Sequence, residues 1–204
     1  MDIYVGIDPS INSTGVVIQY SEKYEPKFFI LKPNKLTAKE QKADNELNNF
    51  KYVTYEKFDL KDYKEKNYIE EYYKTLNLIH IVNAIDNMIS AAAETCGADH
   101  IYIVQEGISY GSTLRTKSVF DLAGLNFLIR ARFILNDEKS IKFWIGTPGE
   151  IKKFATGKGN ANKDMMKTCF AAIHSEMMVV PKYDDLADAF FMSEYAKKIC
   201  KDII

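Results

Sequence analysis

The first 20 residues place a carboxylate at the end of an apolar run, directly before a tight polar turn. Residues 2–8 end at Asp8, and a turn of small polar residues then leads into a second apolar run. This arrangement suits a carboxylate that binds a divalent metal, or backbone amides that wrap a nucleotide phosphate. Asp-Pro-Ser is also an ordinary turn sequence. The start of the chain therefore leaves three interpretations open.

The composition predicts one globular domain spanning residues 1–204. The chain has 204 residues, of which 47% are hydrophobic, and this is enough to bury a core. Its first residues lack a basic start followed by a long apolar run, so we expect a soluble, unsecreted, cytoplasmic protein. The 3 cysteines are widely spaced and form no Cys-x-x-Cys motif, which favours reduced thiols.

The charge is unevenly distributed although the net charge is only −1. Residues 107–163 carry 10 Lys or Arg against 4 acids, whereas residues 76–106 carry 4 acids and no Lys or Arg. A concentrated basic face attracts a polyanion even on a nearly neutral protein. A solvated charged surface explains the same pattern equally well.

The hydrophobic periodicity predicts an α/β fold with a mixed central sheet. Three antiparallel strands come first, and later strands are linked through helices, which is typical of parallel pairing. The polar stretch at about 33–68 is predicted to be an insertion, with a short strand in KYVTYEKF. The strands are predicted at 2–8, 13–20, 26–32, 100–106 and 140–146, and the helices at 70–96, 113–135, 163–178 and 185–201.

The helix predicted at 113–135 is apolar on more than one side. Phe120, Phe127 and Ile134 share one side, and other apolar residues occupy the remainder: Leu122, Leu125, Ile129 and Phe133. A helix with two apolar faces has to bury both of them. We therefore expect one face to pack on the sheet and the other to meet a partner subunit.

Four carboxylates stand where they can converge. Asp8 and Glu106 each end a strand, and strand alternation places both on the side that also carries a Tyr. Parallel neighbouring strands would bring them together at the edge where open α/β sheets bind ligands. Asp185 and Asp188 are three residues apart and share one helix face. Each has an ordinary explanation alone, as a strand end or a helix cap, but the combination suits two divalent metals flanking a phosphate.

These segments together resemble the RuvC family of Holliday-junction resolvases. The resemblance covers about residues 1–32 and 98–200, and it is carried by four stretches in matching order: GIDPSINSTGVVI, IYIVQEG, PGEIKKFATGKGNANKDMMKTCF and DDLADAFF. It implies an RNase H-like fold and a homodimer that nicks branched DNA, including four-way junctions, flaps and forks. A phage-encoded member acting in the host cytoplasm would fit equally.

The resemblance also implies the site. Asp8, Glu106, Asp185 and Asp188 would bind two Mg²⁺ ions per site, with Mn²⁺ as a substitute. Asp184 is the alternative to Asp185, but only Asp185 gives the Asp-x-x-Asp-Ala spacing of the family. Lys163 would offset charge on the attacked phosphate, although a surface lysine at a helix start is the simpler explanation.

A further group of residues is predicted to contact DNA. Lysines near the phosphate backbone add affinity that is independent of sequence and sensitive to salt. The family tends to place an aromatic residue three positions after the glutamate, whereas this chain has serine there and tyrosine one position later. The predicted DNA-binding residues are Lys152, Lys153, Lys158, Ser109, Tyr110, Arg115 and Lys117.

The sequence therefore favours a Mg²⁺-dependent endonuclease selective for branched DNA. An ATPase of the actin or sugar-kinase type shares the first strand, acid and turn, but it needs a second phosphate loop. A non-catalytic DNA-binding relative of the RNase H-like nucleases is the other alternative. Loss of one carboxylate would indicate such a relative, and all four are present.

Overall fold

A six-stranded mixed sheet forms the centre of the computed structural model, which describes residues 1–22, 24–58, 66–108, 118–136 and 140–201. The strand order is β4-β3-β2-β1-β5-β6. Strands β1, β2 and β3 pair antiparallel, while β4, β5 and β6 join them in parallel. The predicted fold class is confirmed. The strands are β1 Asp2–Asp8, β2 Thr14–Tyr20, β3 Lys27–Pro33, β4 Phe50–Tyr55, β5 His100–Glu106 and β6 Ser140–Gly146.

Helices cover both faces of the sheet. Two of them, α2 and α3, pack on one face, and the others pack on the opposite face. Strand alternation divides the core in the same way, because Ile3 and Val5 face α2 while Tyr4 faces α6. The helices are α1 Ala38–Glu46, α2 Lys66–Cys96, α3 Ser118–Ile134, α4 Pro148–Thr156, α5 Lys163–Ile173 and α6 Tyr183–Lys201.

The apolar stripe of α2 explains why this segment forms a helix that packs on the sheet. Leu78, Val82, Ile85 and Ile89 recur at helical spacing and are all at most 8% exposed. Gly97 then ends the helix in the left-handed conformation, at φ 61°. The helix begins at Lys66, four residues earlier than predicted. No helix in the described ranges is long and apolar enough to cross a membrane.

The polar segment at about 33–68 contributes two elements to the fold. Strand β4 pairs in parallel with β3, and Phe50 at its start is fully buried, so the predicted short strand is confirmed. Helix α1 was not predicted. It begins with a capping box in which Thr37 and Glu40 satisfy each other's backbone amides, a signal that the sequence does contain.

The segment between β6 and α5 contains a further helix that the periodicity missed. Helix α4 has Thr147 and Glu150 as a capping box, Pro148 in its first turn, and Gly157 as a left-handed cap at φ 78°. The predicted helix at 163–178 was too long. Helix α5 ends at Ile173, and a 3₁₀ helix over Ser175–Val179 follows it.

Candidate active site

Parallel pairing of β1 and β5 brings two carboxylates to one edge of the sheet. Ile7 is level with Gln105 in the register, so the next residues, Asp8 and Glu106, end adjacent strands. Gly6 and Val104 lie two residues before Asp8 and Glu106 and therefore on the same face of each strand. Both face α6. The predicted meeting of these two strand ends is confirmed.

Helix α6 lies directly on the strands because two glycines leave room for its backbone. A Cβ atom at Gly6 would lie 1.8 Å from the carbonyl oxygen of Ala189, and one at Gly15 would lie 2.2 Å from that of Asp185. Any side chain at either position would push α6 away from the sheet. These glycines therefore set the height at which α6 presents Asp185 and Asp188, a positioning role that the sequence analysis missed.

The turn after β1 is held by its own side chains. The Ser10 amide donates to the Thr14 hydroxyl at 3.1 Å, and Thr14 is fully buried. The Ser13 hydroxyl donates to Oδ2 of Asp185, linking the turn to the start of α6. Tyr55 donates its hydroxyl to the Ile11 carbonyl at 2.9 Å. The small polar residues thus stabilise the turn and orient one acid of α6.

A cavity of about 200 Å³ opens between these elements. Asp8, Glu106 and Asp188 line it from three different elements, together with Lys152 and Lys163. Its remaining walls are apolar side chains: Pro148, Ile151, Met166 and Met192. Three of the four predicted carboxylates therefore face one cavity. Asp185 lies beside it, bonded to Ser13.

Burial disfavours the ionised form of these carboxylates, and repulsion between the acids adds to it at Asp8. Burial raises the pKa of Asp8 well above its usual range, and the charges of Glu106, Asp188 and Asp185 raise it further. Burial also raises the pKa of Glu106, although its hydrogen bond with Asp8 and the charges of two lysines oppose the shift. The pKa of Asp185 is raised by burial as well, against the opposing hydrogen bond from Ser13.

The raised pKa of Asp188 affects the stability of the fold. Burial, followed by repulsion from Glu106, raises its pKa to about 7, while Lys163 opposes the shift. A carboxyl group with a raised pKa in the folded state destabilises the fold once it ionises. This cost is absent below the unfolded pKa near 4 and grows until the pH passes about 7.

We therefore expect Asp188→Asn to stabilise the metal-free protein at pH 8. Removing the ionised carboxyl should contribute about 2 kcal/mol, or roughly 4–8 °C in melting temperature. The gain should shrink at pH 5, where folded Asp188 is protonated. Thermal unfolding in the presence of a chelator measures both values. Asp164→Asn, which removes an 87% exposed acid nearby, is the matched control. An equal gain at both pH values would contradict the assignment.

Lys163, which was predicted to lie near the phosphate, forms an ion pair with Asp184. Lys163 lines the cavity, yet its Nζ lies 3.0 Å from Oδ2 of Asp184. This bond raises the pKa of Lys163. Burial favours a higher pKa for Asp184, but the hydrogen bond with Lys163, the charges of Lys163 and Lys167 and a backbone hydrogen bond together outweigh it, so the pKa of Asp184 is lowered. Asp184 is therefore unlike the four carboxylates whose pKa is raised.

Only some of the predicted DNA-binding residues can be placed. Lys152 lines the cavity from α4, and Lys153 and Lys158 are exposed nearby in the chain. The remaining predicted positions lie outside the described residues: Ser109, Tyr110, Arg115 and Lys117. Trp144 of β6 stacks on Tyr102, with ring centroids 6.1 Å apart.

The donor set fits divalent metal ions. Oxygen ligands from carboxylates are what Mg²⁺ prefers, and clustered acids with raised pKa values are relieved by a cation. Within the described residues, no group of three or more histidine, cysteine or carboxylate side chains is arranged as around a bound metal. Asp8 and Glu106 are instead hydrogen-bonded to each other.

Comparisons with known proteins give matches in structure but not in sequence. No protein-family model matches the chain, and no curated protein matches it. Among solved structures, RuvC of Thermus thermophilus is 12% identical with a TM-score of 0.53, covering 98% of this chain and 96% of that one. The same protein in complex with a Holliday junction substrate gives a TM-score of 0.50 at 12% identity, with the same coverage.

A third similar structure is the yeast mitochondrial Holliday junction resolvase Ydc2. It is 11% identical with a TM-score of 0.46, covering 98% of this chain and 83% of that one. The likeness to RuvC extends over nearly the whole chain. In fold, this chain is therefore similar to RuvC of Thermus thermophilus.

Proposed function

We propose that this protein is a divalent-metal-dependent endonuclease that resolves Holliday junctions and other branched DNA. The observation that carries the proposal is the convergence of Asp8, Glu106 and Asp188 on one cavity that also contains two lysines. The likeness to RuvC, which has been solved with a Holliday junction substrate, supports the same conclusion. Carboxylates at strand ends and a basic rim are suited to a phosphodiester.

The four carboxylates would hold the metal ions. Asp8 is central, because its pKa responds to the charges of all three others. Bound divalent ions would supply an activated water and would stabilise the charge that develops on the phosphate. Ser13 orients Asp185 through its hydroxyl, and Met166 and Met192 form an apolar wall of the cavity. Lys163 would lie near the attacked phosphate and offset its charge.

The lysines of the α4 region would hold the DNA backbone. Lys152 lies in the cavity wall, and Lys153 and Lys158 are exposed on the same segment. Phosphate contacts of this kind position the duplex without reading its sequence. They weaken as the salt concentration rises, because releasing counterions from the DNA then becomes less favourable. Two active sites related by a two-fold axis would allow paired nicks across a four-way junction.

Cleavage of labelled DNA tests the proposal directly. Wild-type protein with Mg²⁺ or Mn²⁺ should cut a four-way junction faster than a fork, a flap or a linear duplex of the same sequence. Asp8→Asn should cut none of them, which excludes a contaminating nuclease. Binding without cleavage by the wild-type protein would instead favour the non-catalytic alternative.

Cleavage should depend far more on DNA structure than on sequence. Ser109 stands where the RuvC family tends to have an aromatic residue, so contacts with base edges or stacked bases at that position should be weaker. Phosphate contacts alone are enough to distinguish a branched DNA from a linear duplex. On a mobile junction, cuts should scatter over several steps of branch migration. Tyr110→Ala should slow cleavage without moving the preferred sites, as mapped on sequencing gels. Cuts confined to one short motif would show that bases are read.

A further inference from the structure

Asp184 and Lys163 form an ion pair at the edge of the cavity. The Lys163 Nζ and the Asp184 Oδ2 are 3.0 Å apart, joining the first turn of α5 to the first turn of α6. The lysine side chain is 69% exposed and the aspartate side chain is 27% exposed. Asp184 does not line the cavity, although its neighbour Lys163 does. The pair therefore holds a cavity lysine from outside the cavity.

An unrestrained ammonium in this position would compete with metal ions. The lysine side chain is a flexible four-carbon stem that carries a compact charge. Asp8, Glu106 and Asp188 line the same cavity, and their opposite charge attracts that ammonium. A lysine paired with one of these acids would occupy a coordination position and cancel part of the charge that a divalent cation needs.

We propose that Asp184 is a positioning residue that keeps the Lys163 ammonium at the rim of the cavity. The carboxylates of the cavity then remain available to divalent cations, and the ammonium remains available to the phosphate. This inference rests on the proposed function, because it assumes that the carboxylates bind metal. It gives Asp184 a role that is distinct from the metal-ligand role considered for it on sequence grounds.

A double-mutant cycle separates this role from two simpler ones. If Asp184 were a metal ligand, removing Lys163 would not restore affinity lost in Asp184→Asn. If the two charges acted independently through space, Lys163→Met would change metal affinity equally in both backgrounds. The proposed role, in which Asp184 tethers the Lys163 ammonium at the rim, gives a different result. Lys163→Met should then change the metal affinity little while Asp184 is present, and much more once Asp184 has been replaced.

The measurement is calorimetric titration of Mn²⁺ into the full-length protein without DNA. We expect Asp184→Asn to weaken Mn²⁺ binding by about fivefold or more. Lys163→Met should change the wild-type Kd by less than about twofold, yet strengthen binding by about fivefold in the Asp184→Asn background. Asp164→Asn removes a similar charge from the neighbouring position of α5, where the acid is 87% exposed, and should change the Kd by less than about twofold.

Each outcome has a defined meaning. Equal effects of Lys163→Met in both backgrounds, or an Asp184→Asn defect that Lys163→Met does not restore, would overturn the tether. Unchanged Mn²⁺ binding in Asp184→Asn would overturn it as well. Junction cleavage by the wild-type protein is assayed separately. If the wild-type protein cleaves junctions but the effects of the two substitutions on the Mn²⁺ affinity are additive, only the role of Asp184 is refuted. If the wild-type protein binds no Mn²⁺, the metal-dependent nuclease is refuted as well.

Discussion

Asp8→Asn, Glu106→Gln and Asp188→Asn should each slow junction cleavage by about 10³-fold or more. Several kcal/mol of transition-state stabilisation depend on correctly held metal ions, and every 1.36 kcal/mol changes the rate about tenfold. The three side chains line one cavity, so each amide removes the charge of a proposed metal ligand while nearly keeping its shape. Single-turnover cleavage of a labelled junction measures the effect.

Junction binding should survive these substitutions. The phosphate contacts proposed for Lys152, Lys153 and Lys158 do not involve the carboxylates, and removing a negative charge from the site even favours binding of a polyanion. Gel-shift titrations with Ca²⁺ or without metal should therefore give Kd values close to that of the wild-type protein. Loss of binding together with cleavage would indicate a folding defect, which thermal unfolding would detect.

Asp185→Asn provides the sharpest separation from Asp184. Asp185 accepts a hydrogen bond from Ser13 and adds to the repulsion felt by Asp8, whereas Asp184 pairs with Lys163. We expect Asp185→Asn to abolish cleavage although the pair of Asp184 and Lys163 remains in place. Normal nicking by Asp185→Asn would refute its role as a ligand and would favour Asp184 in its place.

The arrangement of the strand ends was predictable because it follows from two local rules. Side-chain alternation fixes the face of Asp8 and Glu106, and the order of elements favours parallel pairing of their strands. The three-residue spacing of Asp185 and Asp188 likewise follows from helix geometry. These inferences need no knowledge of long-range packing, and for the strand ends the structure agrees with them.

Other features depend on contacts between distant segments. The close approach of α6 to Gly6 and Gly15 is invisible in a pattern of apolar residues, because glycine contributes no side chain to it. The Lys163–Asp184 pair joins two residues that are 21 positions apart in sequence, and it requires the first turns of α5 and α6 to lie side by side. The short helices α1 and α4 lacked enough turns for periodicity to register, although their capping boxes were readable.

Charge on the outer face of α3 should convert the proposed dimer to monomers that do not make paired nicks. Leu125, Ile129 and Phe133 of α3 are at most 1% exposed and pack on the sheet side of the helix. Phe120 and Phe127, by contrast, are 84% and 61% exposed on the other side. The structure thus divides the helix into one buried and one exposed apolar face, which supports the proposed dimer.

The double variant Phe120→Asp/Phe127→Asp should raise the dimer dissociation constant by about 10³-fold. Aromatic anchors at interfaces commonly contribute about 2 kcal/mol or more each, and a buried unpaired carboxylate adds to the loss. Sedimentation measures the mass, and a cruciform plasmid distinguishes paired cuts, which linearise it, from single nicks, which relax it. We expect a monomeric variant that retains slow nicking, because neither phenylalanine lines the cavity.

Met178→Asp is the matched control, since Met178 is 56% exposed in the 3₁₀ helix and outside α3. It introduces the same charge at a similarly exposed apolar position and should leave both mass and paired cutting unchanged. The prediction concerns a specific face rather than surface hydrophobicity in general. A wild-type protein that sediments as a monomer at working concentration while still linearising the plasmid would refute the dimer, because two coordinated cuts would then come from a single active site.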